Sequence, residues 1–138
     1  MYRPTSFAVL PLVLAGLLAA GCDDPAPVTG PTETPATITE TFSGTVTVNG
    51  AVTNPFSVTR AGELSARLVS LSVADATIGL SLGTWNGQVC QIILANDNAS
   101  MAISSVTGTA SAGAFCVRLY DVGKLTGPVD FEVTVTHF

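Results

Sequence analysis

Apolar and polar side chains alternate with a period of two over most of the chain from Ile38 to the C-terminus. In the segment 41–48, for example, threonine or serine alternates with phenylalanine, glycine or valine. This period, together with the many β-branched residues, predicts half-buried β-strands. Turn residues separate the alternating stretches, and Asn49-Gly50 after the first stretch is a strong hairpin signal. About eight strands are predicted, over residues 41–48, 51–59, 63–73, 77–82, 89–95, 101–106, 115–119 and 131–135.

No segment shows the i, i+3, i+4, i+7 apolar spacing of an amphipathic helix. Short, regularly spaced strands without helices favour an all-β fold, an antiparallel β-sandwich or jelly roll. Two irregularities are predicted within it. Pro55 inside the second strand indicates an edge strand or a bulge. The apolar face changes register near Leu68 and Val69, which indicates a bulge at that point.

The first 21 residues follow a different pattern. Met1–Ser6 carries one cation, Arg3, and no acid, and Phe7–Ala20 is an almost unbroken apolar run. Because this run is too short to cross ~30 Å of hydrocarbon as a helix, it predicts a secretory signal peptide over residues 1–21. The protein is therefore expected to be exported.

The residues at the end of this signal, Ala19-Ala20-Gly21-Cys22, resemble the lipobox of bacterial lipoproteins. In that family the cysteine thiol is lipidated and the chain is cut before it. The resemblance thus implies an anchor of acyl chains such as palmitate at Cys22, in either membrane of the bacterial cell envelope. Ordinary signal cleavage with an incidental Cys22 is the alternative. Residues 22–37 are rich in proline and would form a tether, and residues 38–138 would form the sandwich domain.

Four segments of the domain resemble bacterial pre-peptidase C-terminal domains: 42–46 (FSGTV), 56–58 (FSV), 61–64 (AGEL) and 112–121 (AGAFCVRLYD). The resemblance runs from Phe42 to Val135 and implies a β-sandwich of the jelly-roll type. In that family the domain usually follows a secreted peptidase, which is not part of this sequence. Some members bind calcium, but no ligand set from the family maps onto this chain.

The charge of the chain limits the classes of partner that it can bind, and its cysteines predict a cross-link. The chain has five Lys and Arg against ten Asp and Glu, and its basic residues are scattered singly, so a nucleic-acid partner is not expected. Of the three cysteines, Cys90 and Cys116 remain once Cys22 is assigned to the lipid. An even pair in an exported domain predicts a disulfide between them. Two free, small apolar side chains are the alternative.

Residues 79–83 (GLSLG) match the G-x-S-x-G motif of hydrolases around Ser81, but the motif lies in a plain alternating strand rather than at a strand–turn–helix elbow. His137, the one histidine, is expected to be a solvated terminal side chain on the outward face of the last strand. A single histidine excludes a histidine-rich zinc site. No cofactor and no catalytic residue are therefore predicted, and the protein is expected not to be an enzyme.

Two weaker candidates for binding remain. Asn96, Asp97, Asn98 and Asp121 could supply oxygen ligands to calcium, although side chains of this type also form ordinary turns. Trp85 is expected in a turn, where it could stack on a sugar or pack at the rim.

The sequence thus predicts a non-enzymatic, lipid-anchored envelope protein that presents the loops of a β-sandwich to a protein or polysaccharide partner. One alternative is a carbohydrate- or calcium-dependent binding module. A second alternative is a structural envelope subunit that pairs an edge strand with its partner.

Overall fold

Eight β-strands follow one another in the computed structural model of the protein, which describes Gly30 and residues 34–138. The predicted signal, Cys22 and most of the tether lie outside the described residues. The strands are β1 (Ile38–Val46), β2 (Ala51–Val58), β3 (Gly62–Leu71), β4 (Ile78–Trp85), β5 (Cys90–Ala99), β6 (Ser105–Ala110), β7 (Gly113–Tyr120) and β8 (Val129–His137). None of the described residues belongs to a helix that is long and apolar enough to cross a membrane.

The strands form two four-stranded sheets, in the orders β1-β8-β3-β6 and β2-β7-β4-β5. All paired strands are antiparallel. Every connection crosses from one sheet to the other except that between β4 and β5, which are neighbours in the second sheet. This is the jelly-roll arrangement of a β-sandwich, and it confirms the predicted fold class.

The core lies between the two sheets. Each strand contributes every second side chain to it, as the period of two in the sequence requires. Aliphatic residues dominate because branched side chains from the two inner faces interdigitate well across the ~10 Å between packed sheets. The buried core side chains are Val46, Phe56, Val58, Leu64, Ala66, Leu68, Ile78, Leu80, Leu82, Ala99, Val106, Ala110, Val117, Leu119, Phe131, Val133 and Val135.

The hairpin predicted at Asn49-Gly50 is wrong. A tight turn does form there, with Asn49 at a φ of 56° and the Gly50 N–H donating to the Thr47 carbonyl at 2.8 Å. However, β1 pairs with β8 and β2 pairs with β7, so the turn carries the chain from one sheet to the other. The short-range signal specifies a reversal of the chain, whereas the strand partners are chosen by packing of the whole sandwich.

Both predicted irregularities are confirmed. Pro55 lies in β2, which is an edge strand of its sheet. An edge strand has a neighbour on one side only, so it tolerates a proline, which has no backbone N–H to donate. The register of β3 against β8 shifts between Leu68 and Ser70, which makes Val69 the extra residue of a bulge. Val69 is consequently exposed on the outer surface rather than part of the core.

The middle of the chain differs from the predicted boundaries. Asn96, Asp97 and Asn98, expected to form a turn, lie within β5. A register shift against β4 absorbs one extra residue there, and the Asn96 side chain accepts a hydrogen bond from the Asn98 N–H at 3.0 Å. The local bond typical of an Asx turn is thus made inside a bulged strand. The next reversal comes at residues 100–104, and β6 begins only at Ser105.

Candidate functional site

Four connections lie together at one end of the sandwich, which we call the loop end: residues 47–50, 72–77, 100–104 and 121–128. The strand registers place them there, since the last residue of β1 pairs with the first of β8 at Val46 and Val129. The opposite end holds the point where the chain enters β1, because Ile38 pairs with His137. The loop end is therefore separated from the start of the domain by the full length of the strands.

The carboxylate of Asp121 organises the loop end. One oxygen, Oδ1, accepts the backbone N–H groups of Gly123, Lys124 and Leu125 at 2.8–3.1 Å. The other, Oδ2, accepts the N–H of Asn49 from the β1–β2 turn at 2.8 Å. These four hydrogen bonds hold the pKa of Asp121 below its usual value, and the bond from Asn49 is the largest cause. A single side chain thus fixes the shape of one loop and ties it to a second.

A cleft of about 290 Å³ lies between the β3–β4 and β7–β8 connections. Its walls are mainly small aliphatic or proline side chains, and one carboxylate, Asp75, and one ammonium group, Lys124, lie among them. Lys124 also donates from Nζ to the Asn98 side chain at 3.2 Å, which joins the end of β5 to the same loop. The lining residues are Val73, Asp75, Ala76, Lys124, Leu125, Thr126, Gly127, Pro128 and Val129.

The cleft was not predicted from the sequence. Asp121 was expected to be a calcium ligand or an ordinary turn residue. An aspartate with a glycine two positions later, as in Asp121-Val122-Gly123, is a signal for a loop that folds around its own side chain. The wall contributed by residues 72–77 could not be predicted, because those residues meet the β7–β8 loop only through the sandwich topology.

The calcium candidates do not form a ligand set. Asp97 accepts the phenolic O–H of Tyr120, and the Asn96, Asn98 and Asp121 side chains accept the bonds described above. Among residues 34–138, no group of three or more histidine, cysteine, aspartate or glutamate residues could hold a metal ion. The calcium hypothesis therefore gains no support from the geometry.

Two cross-links span β4 on the outer face of the second sheet. Cys90 on β5 and Cys116 on β7 form the predicted disulfide, with their Cα atoms 5.8 Å apart. Nearer the loop end, the Tyr120 ring lies over Gly79 of β4 and its O–H reaches Asp97 on β5. We call this second cross-link the phenol clasp. Because only a glycine leaves room for the ring, Gly79 is part of the clasp.

Ser81 lies in the middle of β4, as expected for a plain strand, and is completely buried. Its hydroxyl donates to the Arg118 carbonyl on β7 at 3.1 Å. The lone histidine is distant in the fold from this serine, since it ends β8 in the other sheet. The G-x-S-x-G match thus presents no exposed nucleophile.

The expectation that His137 is solvated is wrong. Its side chain is 1% exposed and stacks on Phe56 with ring centroids 5.4 Å apart. Its Nε2–H donates to Glu40 at 2.9 Å. The period of two that buries Phe131, Val133 and Val135 also points residue 137 inward.

The main-chain oxygen of Phe138 accepts the backbone N–H groups of Thr59 and Arg60 at 3.0 and 3.2 Å, which ties the end of β8 to the β2–β3 connection.

Trp85 ends β4, opposite Cys90, rather than lying in a turn, and it is half-buried. It belongs to the end of the sandwich that holds the β4–β5 connection, away from the cleft. No aromatic side chain among residues 34–138 is exposed. The described part of the chain therefore offers no aromatic platform on which a sugar ring could stack.

The architecture defines the chain as a jelly-roll β-sandwich protein. No protein-family model matches it, and no curated protein does. Among solved structures it is similar to PliG of Aeromonas hydrophila, a periplasmic lysozyme inhibitor of g-type lysozyme, with a TM-score of 0.54 and 12% identity over 70% of this chain and 83% of that chain. At this identity the likeness shows the fold alone. The resemblances to the lipobox and to pre-peptidase C-terminal domains remain predictions.

Proposed function

We propose that this protein is an exported, lipid-anchored and non-catalytic module that binds a protein partner at its loop end. The observation that carries the proposal is the cleft between the β3–β4 and β7–β8 connections. Binding sites on sandwich proteins are commonly built from loops that a rigid scaffold positions. Here Asp121 ties the β7–β8 loop to the β1–β2 turn and Lys124 ties it to β5, so this wall of the cleft is held before any partner arrives.

The polarity of the cleft favours a protein partner. Aliphatic walls with a single acid and a single base suit an apolar side chain flanked by polar groups, which is the usual composition of a protein interface. A carbohydrate-binding module would be expected to present aromatic side chains, and the aromatic residues among 34–138 are all at least half-buried. A calcium-dependent module would need carboxylates that are free of other partners.

The anchor is proposed at Cys22. The chain enters the sandwich at Ile38, at the end opposite to the cleft, so the segment that joins the domain to Cys22 does not start from the cleft. The disulfide between Cys90 and Cys116 supports export, because disulfides persist in oxidising compartments. The absence of catalysis is supported by Ser81, whose hydroxyl is buried and already bonded.

The likeness to PliG supplies a first partner to test. PliG is described as an inhibitor of g-type lysozyme, and we propose a lysozyme of that type as the probe. The decisive variant is Val73→Arg, which places a long cation on the exposed wall of the cleft. The matched control is Val69→Arg, an exposed valine in the β3 bulge outside the loop end.

The experiment measures inhibition of the lysozyme by the chain carrying Cys22→Ser, so that no lipid is present. Inhibition that Val73→Arg weakens at least ten-fold, while Val69→Arg leaves it unchanged, supports both the site and the partner. Equal weakening by the two variants overturns the site.

If the lysozyme does not bind, the proposal is tested by photo-cross-linking in intact cells. A photo-reactive residue is placed at position 73 or 69 of the anchored protein, and the adducts are identified. A discrete protein adduct from position 73 alone, lost when Gly127→Trp fills the cleft, supports the module with another partner. The same adducts from both positions, or none, overturn the proposal.

A further inference from the structure

One side of the sandwich is almost free of charge. Between Asp75 and Arg118 the sequence contains a single ionisable side chain of the Asp, Glu, Lys or Arg type, that of Asp97. This span includes β4, β5, β6 and their connections, and it therefore provides the edge strand of each sheet on that side. Asp97 is engaged in the phenol clasp with Tyr120.

The same side exposes large aliphatic residues. We call residues 89–110 the apolar side. Ile93 on β5 is 63% exposed and Ile103 in the β5–β6 connection is 60% exposed. Leu94, by contrast, reaches across to Gly108 of β6 and closes the gap between the two edge strands. The other exposed aliphatic or thioether residues are Val89, Ile92 and Met101. An exposed apolar area without charges is typical of an interaction surface.

The shape of β5 opposes addition of another strand to its edge. Leu94 pairs with Leu82 and Ile92 pairs with Gly83, so Ile93 is the extra residue of a bulge. A bulge interrupts the regular row of backbone donors and acceptors that strand addition needs. The contact at this side must therefore be made by side chains, with Ile93 at its most exposed point.

We infer that the occupant of the apolar side is a second copy of this chain. The chain has a net charge of −5, so most faces of two copies would repel each other, whereas this side brings almost no charge into contact. A twofold axis through Ile93 places that residue against its own copy, and places Ile92 of each copy against Leu94 of the other. It also separates the two Asp97 residues, four positions away on each side, by about 26 Å of strand.

The size of the surface approaches that of a stable contact. Within residues 89–110, Cys90, Ala99, Val106 and Ala110 are buried. The other eighteen compare with the roughly 20–30 residues that each partner contributes to an interface of standard size. The surface is distinct from the cleft walls at residues 72–77 and 121–128, apart from the turn at 100–104 that borders both regions. The dimer and the loop-end function are therefore tested separately.

The test is sedimentation equilibrium of the exported chain carrying Cys22→Ser over a wide range of concentration. We expect a reversible monomer–dimer equilibrium that Ile93→Lys or Ile103→Lys shifts at least ten-fold toward monomer. Ile38→Lys, at an exposed isoleucine on β1, the edge of the first sheet opposite to β6, should leave it unchanged. Because the contact is uncharged and the copies repel at long range, added salt should strengthen association rather than weaken it.

Three outcomes overturn the inference. The first is a wild-type chain that stays monomeric at every concentration. The second is an equal effect of Ile38→Lys and Ile93→Lys in variants whose circular dichroism shows that both are folded. The third is a monomer that floats with phosphatidylethanolamine–phosphatidylglycerol vesicles and loses this property in Ile93→Lys, since the occupant would then be the lipid surface.

Discussion

The phenol clasp can be tested by titrating Tyr120 with base. The only other tyrosine is Tyr2, in the predicted signal peptide, so the phenolate absorbance of the exported chain reports Tyr120 alone. Burial of the ring, and then the hydrogen bond to Asp97 and its negative charge, raise the pKa of Tyr120 from 10.0 to about 12. We expect an absorbance midpoint near that value.

The sign of the effect on stability follows from linkage. A group whose pKa is raised by folding contributes its full stabilisation at a pH below its pKa in the unfolded state. That contribution is lost as the pH rises through its pKa in the folded state. For Tyr120 this window lies between pH 10.0 and about 12. The Tyr120→Phe variant should lose about 1.5 kcal/mol at neutral pH, the lower end for a hydrogen bond to a charged group, because Asp97 is exposed.

Two variants separate the causes. Asp97→Asn removes the charge and should lower the midpoint only part of the way toward 10.0, since burial is the larger cause. Gly79→Ala places a methyl group against the ring and should displace Tyr120, which lowers the midpoint further. Circular dichroism at each pH checks that the chain is still folded. A midpoint near 10.0 in the folded wild type, or one that Asp97→Asn does not move, would refute the reasoning.

Two further predictions concern the covalent and buried polar contacts. Cys90→Ala with Cys116→Ala opens a cross-link with a sequence separation of 26 and should lower the free energy of unfolding by about 3.5 kcal/mol in urea denaturation; a loss below about 1 kcal/mol would contradict this. His137→Ala removes a buried ring and leaves Glu40 without its partner, so it should cost about 3 kcal/mol. Glu40→Gln, which keeps a hydrogen-bond acceptor at a partly exposed position, should cost less than about 1 kcal/mol, and equal losses from both would refute the assigned contact.

Local patterns in the sequence were sufficient to predict the eight strands, the edge position of β2 and the bulge in β3, but not the two bulges of β5. Alternation with a period of two depends only on the geometry of a strand between core and solvent, so it survives any choice of partner strand. The bulge at Val69 could be predicted for the same reason, because a change of apolar face needs one extra residue. The disulfide followed from the two cysteines that remain once Cys22 is assigned to the lipid, and not from any knowledge of their distance.

Properties that depend on the partner strand could not be predicted. The Asn49-Gly50 turn is consistent with both a hairpin and a crossing between sheets, and only the packing of the complete sandwich selects the crossing. The cleft depends on the same choice, because its two walls come from segments about fifty residues apart in the sequence. For His137 the pattern itself was sufficient, and the error came from assuming that the last residues of a chain lie in water.

The loop end should bind its partner with a small loss of conformational entropy, because hydrogen bonds within the free protein already hold the β7–β8 loop. Ordering a loop on binding costs roughly 1–2 kcal/mol per residue fixed. In the free protein Asp121 already accepts four backbone N–H groups, and Lys124 already bonds Asn98, so the β7–β8 wall of the cleft needs little further ordering. Loss of these bonds would not remove any surface that contacts the partner. The Asp121→Ala variant should therefore weaken partner binding by loosening the wall, whereas Val73→Arg alters the contact surface itself. The partner affinities of the two variants, compared with each other, distinguish preorganisation from direct contact.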